Sequence, residues 1–538
     1  MTKNWLQPTL FKTVAMMLTV MLMLSACGGG KSETGGPDSN NKEEQPKKLS
    51  SLTYWAPMSG QAAATMKSYN EIETYKELQR ITGVAVDFQH PPQGQEAEQF
   101  SLMVSADKLP DVIEYSWNLY PGGPEKALKD GKIIDLKNLI EEHAPNLKKI
   151  LDDHPDWKKQ ITTDDGNIIA FPFIRSVDEH RIFYGPVIRQ DWLDYLKLDK
   201  PETLDDWYNV LKAFKDGDPN QNGKADEIPL YISEDNVTLS NMFIGAWGIS
   251  NGFYQENGVV KYGPAQPEYK EFLAYMNKLY ADGLLDKDFA VTDGKIFDAK
   301  MTGNQIGAAP LFVVGGLGKY MNLMSEKQPG FQLEGIGYPV INKGDKPLFG
   351  QRDYAVTGLG AAISSSNKNI EETIKWLDFA YGEEGNLLFN FGKEGVSYTM
   401  ENGFPKYLPE VLKDPSGLPL QQSQAKHNRS NWNGPFVSDV RNSKQGIDTP
   451  AMENAKKVWA EPTGEKQLPL ITPSREESSK YSSIMTDINT YKGEMYVKFI
   501  IGSESLDQFD KFVNTLESMG IAEATKIQQA ALDRYNKR

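Results

Sequence analysis

Residues 49–57 (LSSLTYWAP), 84–89 (VAVDFQ) and 109–113 (LPDVI) decide the fold class. The first is an apolar run closed by proline. The second alternates at period two, and the third opens another apolar run. Between the first two, Tyr69, Ile72, Tyr75, Leu78 and Ile81 recur at helical spacing. Strand, helix, strand in this order predicts an α/β layer with a mostly parallel sheet. Leu136, Leu139, Ile140, Leu147, Ile150 and Leu151 continue the helical pattern.

Working outward, a second block opens at Phe171-Pro172. Residues 191–196 and 203–214 read as helices, the latter with Thr203 and Asp206 placed as a capping box. Residues 267–281 put Tyr269, Phe272, Leu273, Met276 and Tyr280 on one helical face. Residues 354–363 (YAVTGLGAAI) return to strand character before a helix carrying Ile370, Ile374, Leu377 and Tyr381. Residues 503–538 read as two helices broken at Gly520, and no internal repeat is present.

A chain of 538 residues exceeds one ordinary core, so two or more domains are expected. The formal charge of -15 opposes nucleic-acid binding, which needs Lys and Arg to displace counterions from phosphates. A single cysteine excludes a disulfide framework and a cysteine zinc site, and five scattered histidines offer no His-rich metal site.

That cysteine carries an address. Lys3 and Lys12 precede an apolar stretch at 14–24 (VAMMLTVMLML), and Leu24-Ser25-Ala26-Cys27 follows. The stretch is too short to span a bilayer, which takes roughly 20 residues, and it has the form of a secretory signal. Leu24-Ser25-Ala26-Cys27 resembles a bacterial lipobox, in which Cys27 becomes the lipidated N-terminus after cleavage; signal peptide and lipobox cysteine together take residues 1–27. The alternative is a plain signal peptide with an incidental cysteine. The polar run 28–48 (GGGKSETGGPDSNNKEEQPKK) then reads as a flexible tether. An exported, lipid-tethered body on the extracytoplasmic face of the cell membrane is the expectation.

Residues 218–227 (DPNQNGKADE) hold the sharpest chemical motif. Asp218, Asn220, Asn222 and Asp226 put side-chain oxygens at positions 1, 3, 5 and 9 of a calcium loop, with Gly223 at 6 and the Lys224 carbonyl at 7. Position 12 is Pro229 instead of a bidentate glutamate, and Glu227 is the nearest replacement carboxylate. This is half an EF-hand, helix in and strand out, predicted to hold a structural Ca²⁺. A metal-free, Asx-rich turn is the other reading.

The familiar catalytic signatures are missing: the glycine turn at 315–318 (GGLG) lacks the Lys and Ser/Thr of a phosphate loop. Chance carboxylate pairs are unavoidable among 73 acidic residues and carry no weight. Aromatic residues in loop-like or strand-end contexts, Trp55, Tyr115, Trp117, Trp247, Phe312, Tyr354 and Trp432, offer flat faces for sugar rings or else pack in a core.

These features together resemble the extracellular solute-binding family 1 lipoproteins of bacterial ABC importers, in the branch of aldouronate- and alginate-type oligosaccharide receptors. The resemblance rests on 189–194 (RQDWLD) with 201–204 (PETL), and on the loop at 218–230. It rests equally on 376–379 (WLDF) with 382–386 (GEEGN), on 392–398 (GKEGVSY), and on 526–530 (KIQQA) with Arg534-Tyr535. It implies a two-lobe periplasmic-binding-protein-like α/β fold with a ligand cleft between lobes. One lobe would take 50–170 and 355–410; the other would take 171–354 and 440–538. The resemblance places Tyr115 and Trp117 in the cleft. Trp55, Trp247, Phe312, Tyr354 and Trp432 are candidates around it, and Arg175 and Arg352 are candidates for a ligand carboxylate.

The expected role is capture of an oligosaccharide, uronate-containing by family analogy, and its delivery to membrane permease subunits by a monomeric receptor with no catalytic activity. A tethered polysaccharide-degrading enzyme and a receptor presenting ligand to a sensor are the competing readings.

Overall fold

The computed structural model describes residues 49–429, 433–446 and 449–538. Cys27, the tether at 28–48 and Trp432 therefore lie outside the described residues. Two sheets organise the body. The first has six strands in the order Val437–Ser438, Phe171–Arg175, Val356–Ile363, Val112–Tyr115, Ser51–Trp55, Ala85–Gln89. The second has four, in the order Leu333–Gly335, Tyr184–Arg189, Ile306–Phe312, Ile228–Leu230.

Residue alternation along the strands explains why each sheet is covered on both faces. Tyr54, Val112, Ala361 and Ile363 enter one hydrophobic cluster, whereas Trp55, Ile113 and Ala362 enter another. In the second sheet Ile188, Leu230 and Ala308 face a large helical core. Val187, Ala309 and Leu311 face the opposite way. Helix Pro450–Trp459 covers that second face, and glycine admits it: a Cβ on Gly335 would lie 2.3 Å from the Ala455 Cβ.

The first three strands are parallel, with Ser51–Trp55 paired to both Ala85–Gln89 and Val112–Tyr115. The sheets as wholes are mixed. Val356–Ile363 is antiparallel to both its neighbours, and Tyr184–Arg189 is antiparallel to both of its own. The expected mostly parallel character thus holds for the opening segment and for two further pairs, Val437–Ser438 with Phe171–Arg175 and Ile228–Leu230 with Ile306–Phe312, while Val356–Ile363 and Tyr184–Arg189 run against their neighbours.

Helix Pro267–Ala281 matches its sequence pattern, and the Thr203 hydroxyl accepts from the Asp206 amide while the Asp206 carboxylate accepts from the Thr203 amide. Helices Phe509–Ser518 and Ile521–Lys537 flank Gly520. The 26-residue helix Arg475–Ile500 was not foreseen; its apolar face is interrupted by polar residues, and it packs against Pro267–Ala281.

The boundary read at 171 moves. Phe171–Arg175 is a buried strand of the first sheet, so the chain first crosses between Arg175 and Tyr184. Pro172 looks like punctuation in the sequence, but it sits where the pairing with Val356–Ile363 shifts register, and its carbonyl accepts from the Tyr381 hydroxyl. The chain returns between Gly335 and Val356 and leaves again after Ser438, beyond the expected limit at 410. Among the described residues no helix is long and apolar enough to cross a membrane.

Candidate functional site: a cleft at the lobe crossings

The crossings bring the ends of both sheets together around a half-open cavity of about 130 Å³. Phe173 and Arg175 come from the first-sheet strand Phe171–Arg175, and Phe436 and Ser438 from its neighbour. Phe183 precedes strand Tyr184–Arg189, Val313 and Val314 follow strand Ile306–Phe312, and Lys456 lies on helix Pro450–Trp459. Both lobes therefore contribute walls.

The aromatic groups are ordered by contact. Phe173 meets Phe436 edge-on at 5.0 Å, and Phe183 lies parallel to Phe312 at 6.0 Å and 9°. Phe312 is 45% exposed, so this stacked pair offers an accessible apolar face beside the cavity. The polar wall is held in place by the backbone. Asn390 donates to the Val437 carbonyl at 2.9 Å and accepts from the Asp439 amide at 2.9 Å.

Two bases in the wall are shifted by burial. His180 falls to about 4, through desolvation first and the nearby Lys456 charge second; its Nδ1 lies 2.7 Å from Ser438 Oγ and its Nε2 2.9 Å from Ser443 Oγ. Lys456 falls to about 8, again chiefly through burial.

The structure disperses the residues that the sequence singled out. Arg175 lines the cleft, and Phe312 flanks it through Phe183. Arg175 Nη1, however, stands 2.8 Å from Asp353 Oδ2, an ion pair by distance whose geometry does not make a hydrogen bond. Tyr115 and Trp117 line a separate crevice of about 110 Å³ with Val356 and Ile471. Trp117 is only 1% exposed there, which makes it chiefly a core residue. Trp55 is likewise buried, against Phe100 and Tyr115, because strand Ser51–Trp55 is central in its sheet.

Trp247 is placed away from every cavity described here: it packs on Phe272 and Tyr275 and donates to Glu271 at 2.9 Å. Arg352 and Tyr354 line an opening along the crossing segment. Arg352 pairs with Asp178 at 3.3 Å, and the Tyr354 hydroxyl donates to the Leu468 carbonyl at 2.7 Å. Sequence reasoning missed Phe173, Phe183, Phe436, His180 and Lys456. The one available signal was that Phe173 and Phe183 flank a chain crossing, and that crossing was misplaced by a few residues.

The loop at 218–227 is the second site. Helix Leu204–Asp216 enters it and strand Ile228–Leu230 leaves it, as the half EF-hand requires. Gly223 takes φ 72, a left-handed value that glycine adopts without strain. Asp218 accepts from the Asn222 and Gly223 amides, each at 3.1 Å. Asn220 Oδ1 accepts from the Asn222 amide and Asn222 Oδ1 from the Lys224 amide, at 3.1 and 2.8 Å.

Asp226 receives both carboxamides and is held below the usual carboxylate range, first by the bond from Asn222. Glu227 is pushed up, first by burial and then by Asp218 and Asp226, and its Oε1 is buried with no hydrogen-bond partner. An all-oxygen donor set with one orphaned carboxylate oxygen fits a hard cation. Among the described residues no three His, Cys, Asp or Glu side chains form a metal cluster; the loop instead mixes carboxylates with two carboxamides.

Comparison with known proteins accounts for this architecture. The family described as "Bacterial extracellular solute-binding protein" matches residues 63–387, more than half of the chain. The chain belongs to that family. The "Fructooligosaccharide ABC transporter substrate-binding protein FusA" of Streptococcus pneumoniae serotype 4 (strain ATCC BAA-334 / TIGR4) is 29% identical over 508 residues, covering 89% of this chain and 90% of that one.

Two solved structures share the fold. "Alginate-binding protein AlgQ2 without calcium ion" gives a TM-score of 0.73 at 26% identity, over 91% of this chain and 99% of its own. An EF-hand mutant of the Streptococcus pneumoniae FusA bound to fructo-nystose gives 0.72 at 25%, over 90% and 99%. The two-lobe periplasmic-binding-protein-like α/β fold expected from the sequence is thereby established, together with the solute-binding role of its family.

Proposed function

We propose that this chain captures an oligosaccharide in the inter-lobe cleft and delivers it to the permease of an ABC importer, without chemical change. The observation that carries the reading is the cleft itself: aromatic faces and amide groups from both lobes surround one cavity at the chain crossings. Flat rings suit the apolar faces of sugars, and a ligand touching both walls favours the closed arrangement by its differential affinity. The relatives named for fructooligosaccharide and alginate support a glycan of several units over a single small solute.

The receptor acts as a monomer held to the outer face of the membrane by lipid on Cys27, with residues 28–48 as its leash. Ca²⁺ in the loop of Asp218, Asn220, Asn222, the Lys224 carbonyl, Asp226 and Glu227 would supply charge neutralisation for clustered oxygens. It has no part in ligand chemistry. The orphaned Glu227 oxygen and the calcium and EF-hand wording of the two structural relatives support that assignment.

Calorimetry against an oligosaccharide panel, with chromatography of the sugars afterwards, tests the function. The expected result is a saturable isotherm with unchanged sugars, weakened about tenfold in Phe312→Ala through loss of one stacking face. Cleavage products would replace the receptor by an enzyme.

A further inference from the structure

Most charged side chains of the cleft already face a counter-charge before any ligand arrives. Arg175 is buried, with Asp353 at 2.8 Å, and its guanidinium lies 5.6 Å from the Phe173 ring and 5.8 Å from the Phe183 ring. Aromatic faces from both sides of the crossing thus wrap a cation whose carboxylate partner is internal. Across the wall, Asp439 takes Arg441, with Nη2 2.6 Å from Oδ2. Along the crossing segment Arg181 and Arg352 share Asp178 at 3.1 and 3.3 Å.

Two groups stay outside these pairs. His180 is neutral at physiological pH, with both ring nitrogens occupied by serine hydroxyls. Lys456 has no ion pair among the described residues; burial lowers it to about 8, which still leaves it mostly protonated at neutral pH, and Glu179 on the same wall supplies the opposing charge. The lining therefore carries Arg175 and Lys456 against Glu179 and Asp439, a balanced set.

We infer, building on the oligosaccharide reading above, that the cleft selects an uncharged oligosaccharide and excludes uronate-containing chains. A ligand carboxylate reaching Arg175 must either displace Asp353, leaving that partly exposed carboxylate without its counter-ion, or stand beside it as a like charge. Both outcomes oppose binding. Sugar hydroxyls make no such demand, because they donate and accept without changing the charge of the wall. The named relatives include receptors for both a neutral fructan and an acidic alginate, so this chain's own ion pairs decide the choice.

The test is calorimetry on the mature protein with two length-matched series at about 0.15 M ionic strength. One series is neutral (fructo-, xylo- and galacto-oligosaccharides); the other is acidic (oligogalacturonate, oligomannuronate and aldouronate). The expected result is a neutral member binding at least about 100-fold tighter than every acidic one. An acidic chain binding within that factor overturns the inference. Silence from both series overturns the oligosaccharide reading itself, which is a different result.

The variant Asp353→Asn releases Arg175 and is expected to raise the acidic-to-neutral affinity ratio by about tenfold or more. An unchanged ratio in the folded variant shows that the Asp353 pairing is not what excludes acids.

Discussion

The loop at 218–227 and the inter-lobe cleft are both polar sites, but they are built in opposite ways. The loop is ten contiguous residues whose backbone turns its own oxygens inward. The Asp218 carboxylate is fixed by amides four and five residues ahead, and Asn222 by one two residues ahead. The cleft is assembled from Phe173, Phe183, Val313, Phe436 and Lys456, which share no segment and meet only because the chain crosses between sheets three times. A local site is specified by spacing; an assembled one is specified by packing. Perturbations should separate the two.

The largest expected effect strikes the packing that supports the assembled region. Arg429 is paired with Glu114 in the first lobe, with both side chains nearly inaccessible, and the guanidinium lies 4.3 Å from the Tyr69 ring. Glu114→Ala leaves that charge buried alone and should cost about 3–5 kcal/mol, read from the urea unfolding midpoint. The loop should keep its metal response in the part that stays folded. A loss below about 1 kcal/mol would show that this region tolerates repacking.

Acid should come next. His180 has a folded value of about 4 against the usual 6.5, so the fold prefers its neutral form. That preference is fully present above pH 6.5, is lost as pH falls toward about 4, and amounts to roughly 3 kcal/mol. Thermal melts between these limits should show the slope, and His180→Gln should flatten it. An equal slope in the variant would assign the acid sensitivity elsewhere.

Calcium addresses the loop alone. At about 100 times its Kd it should stabilise the demetallated protein by about 2.7 kcal/mol. Asp218→Ala should abolish that shift while leaving sugar binding in place. Coupled loss of both would erase the distinction between local and assembled sites. The smallest effect is expected at Trp247, which packs on a lobe core rather than in the cleft. Trp247→Phe removes one exposed hydrogen bond to Glu271 and should cost at most about 1 kcal/mol, with ligand affinity unchanged.

Legibility in the sequence followed the same division. The capping box at Thr203, helix Pro267–Ala281 and the break at Gly520 are visible because each depends on neighbours within a few residues. Strand Phe171–Arg175 was assigned to the wrong lobe, since a proline looks alike at a domain boundary and at an irregular sheet pairing. Trp55 packs in a core and Trp247 against Phe272 and Tyr275, and an aromatic residue has the same letter in a core and in a cleft. Arg175 is a candidate on sequence grounds, but its partner is not legible there: Asp353 stands 178 positions away in sequence and 2.8 Å away in space.

The sequence by itself determined the α/β class, the capping box at Thr203, the break at Gly520, the oxygen pattern of the loop and the candidate lipidation address at Cys27. Each is a property of short-range spacing, where backbone geometry fixes what neighbouring side chains meet. Only the tertiary structure decided which aromatic rings share a wall and which arginines are already neutralised. Those facts depend on where distant strands pair, and a desolvated charge must settle its partner within the fold before it can offer itself to a ligand.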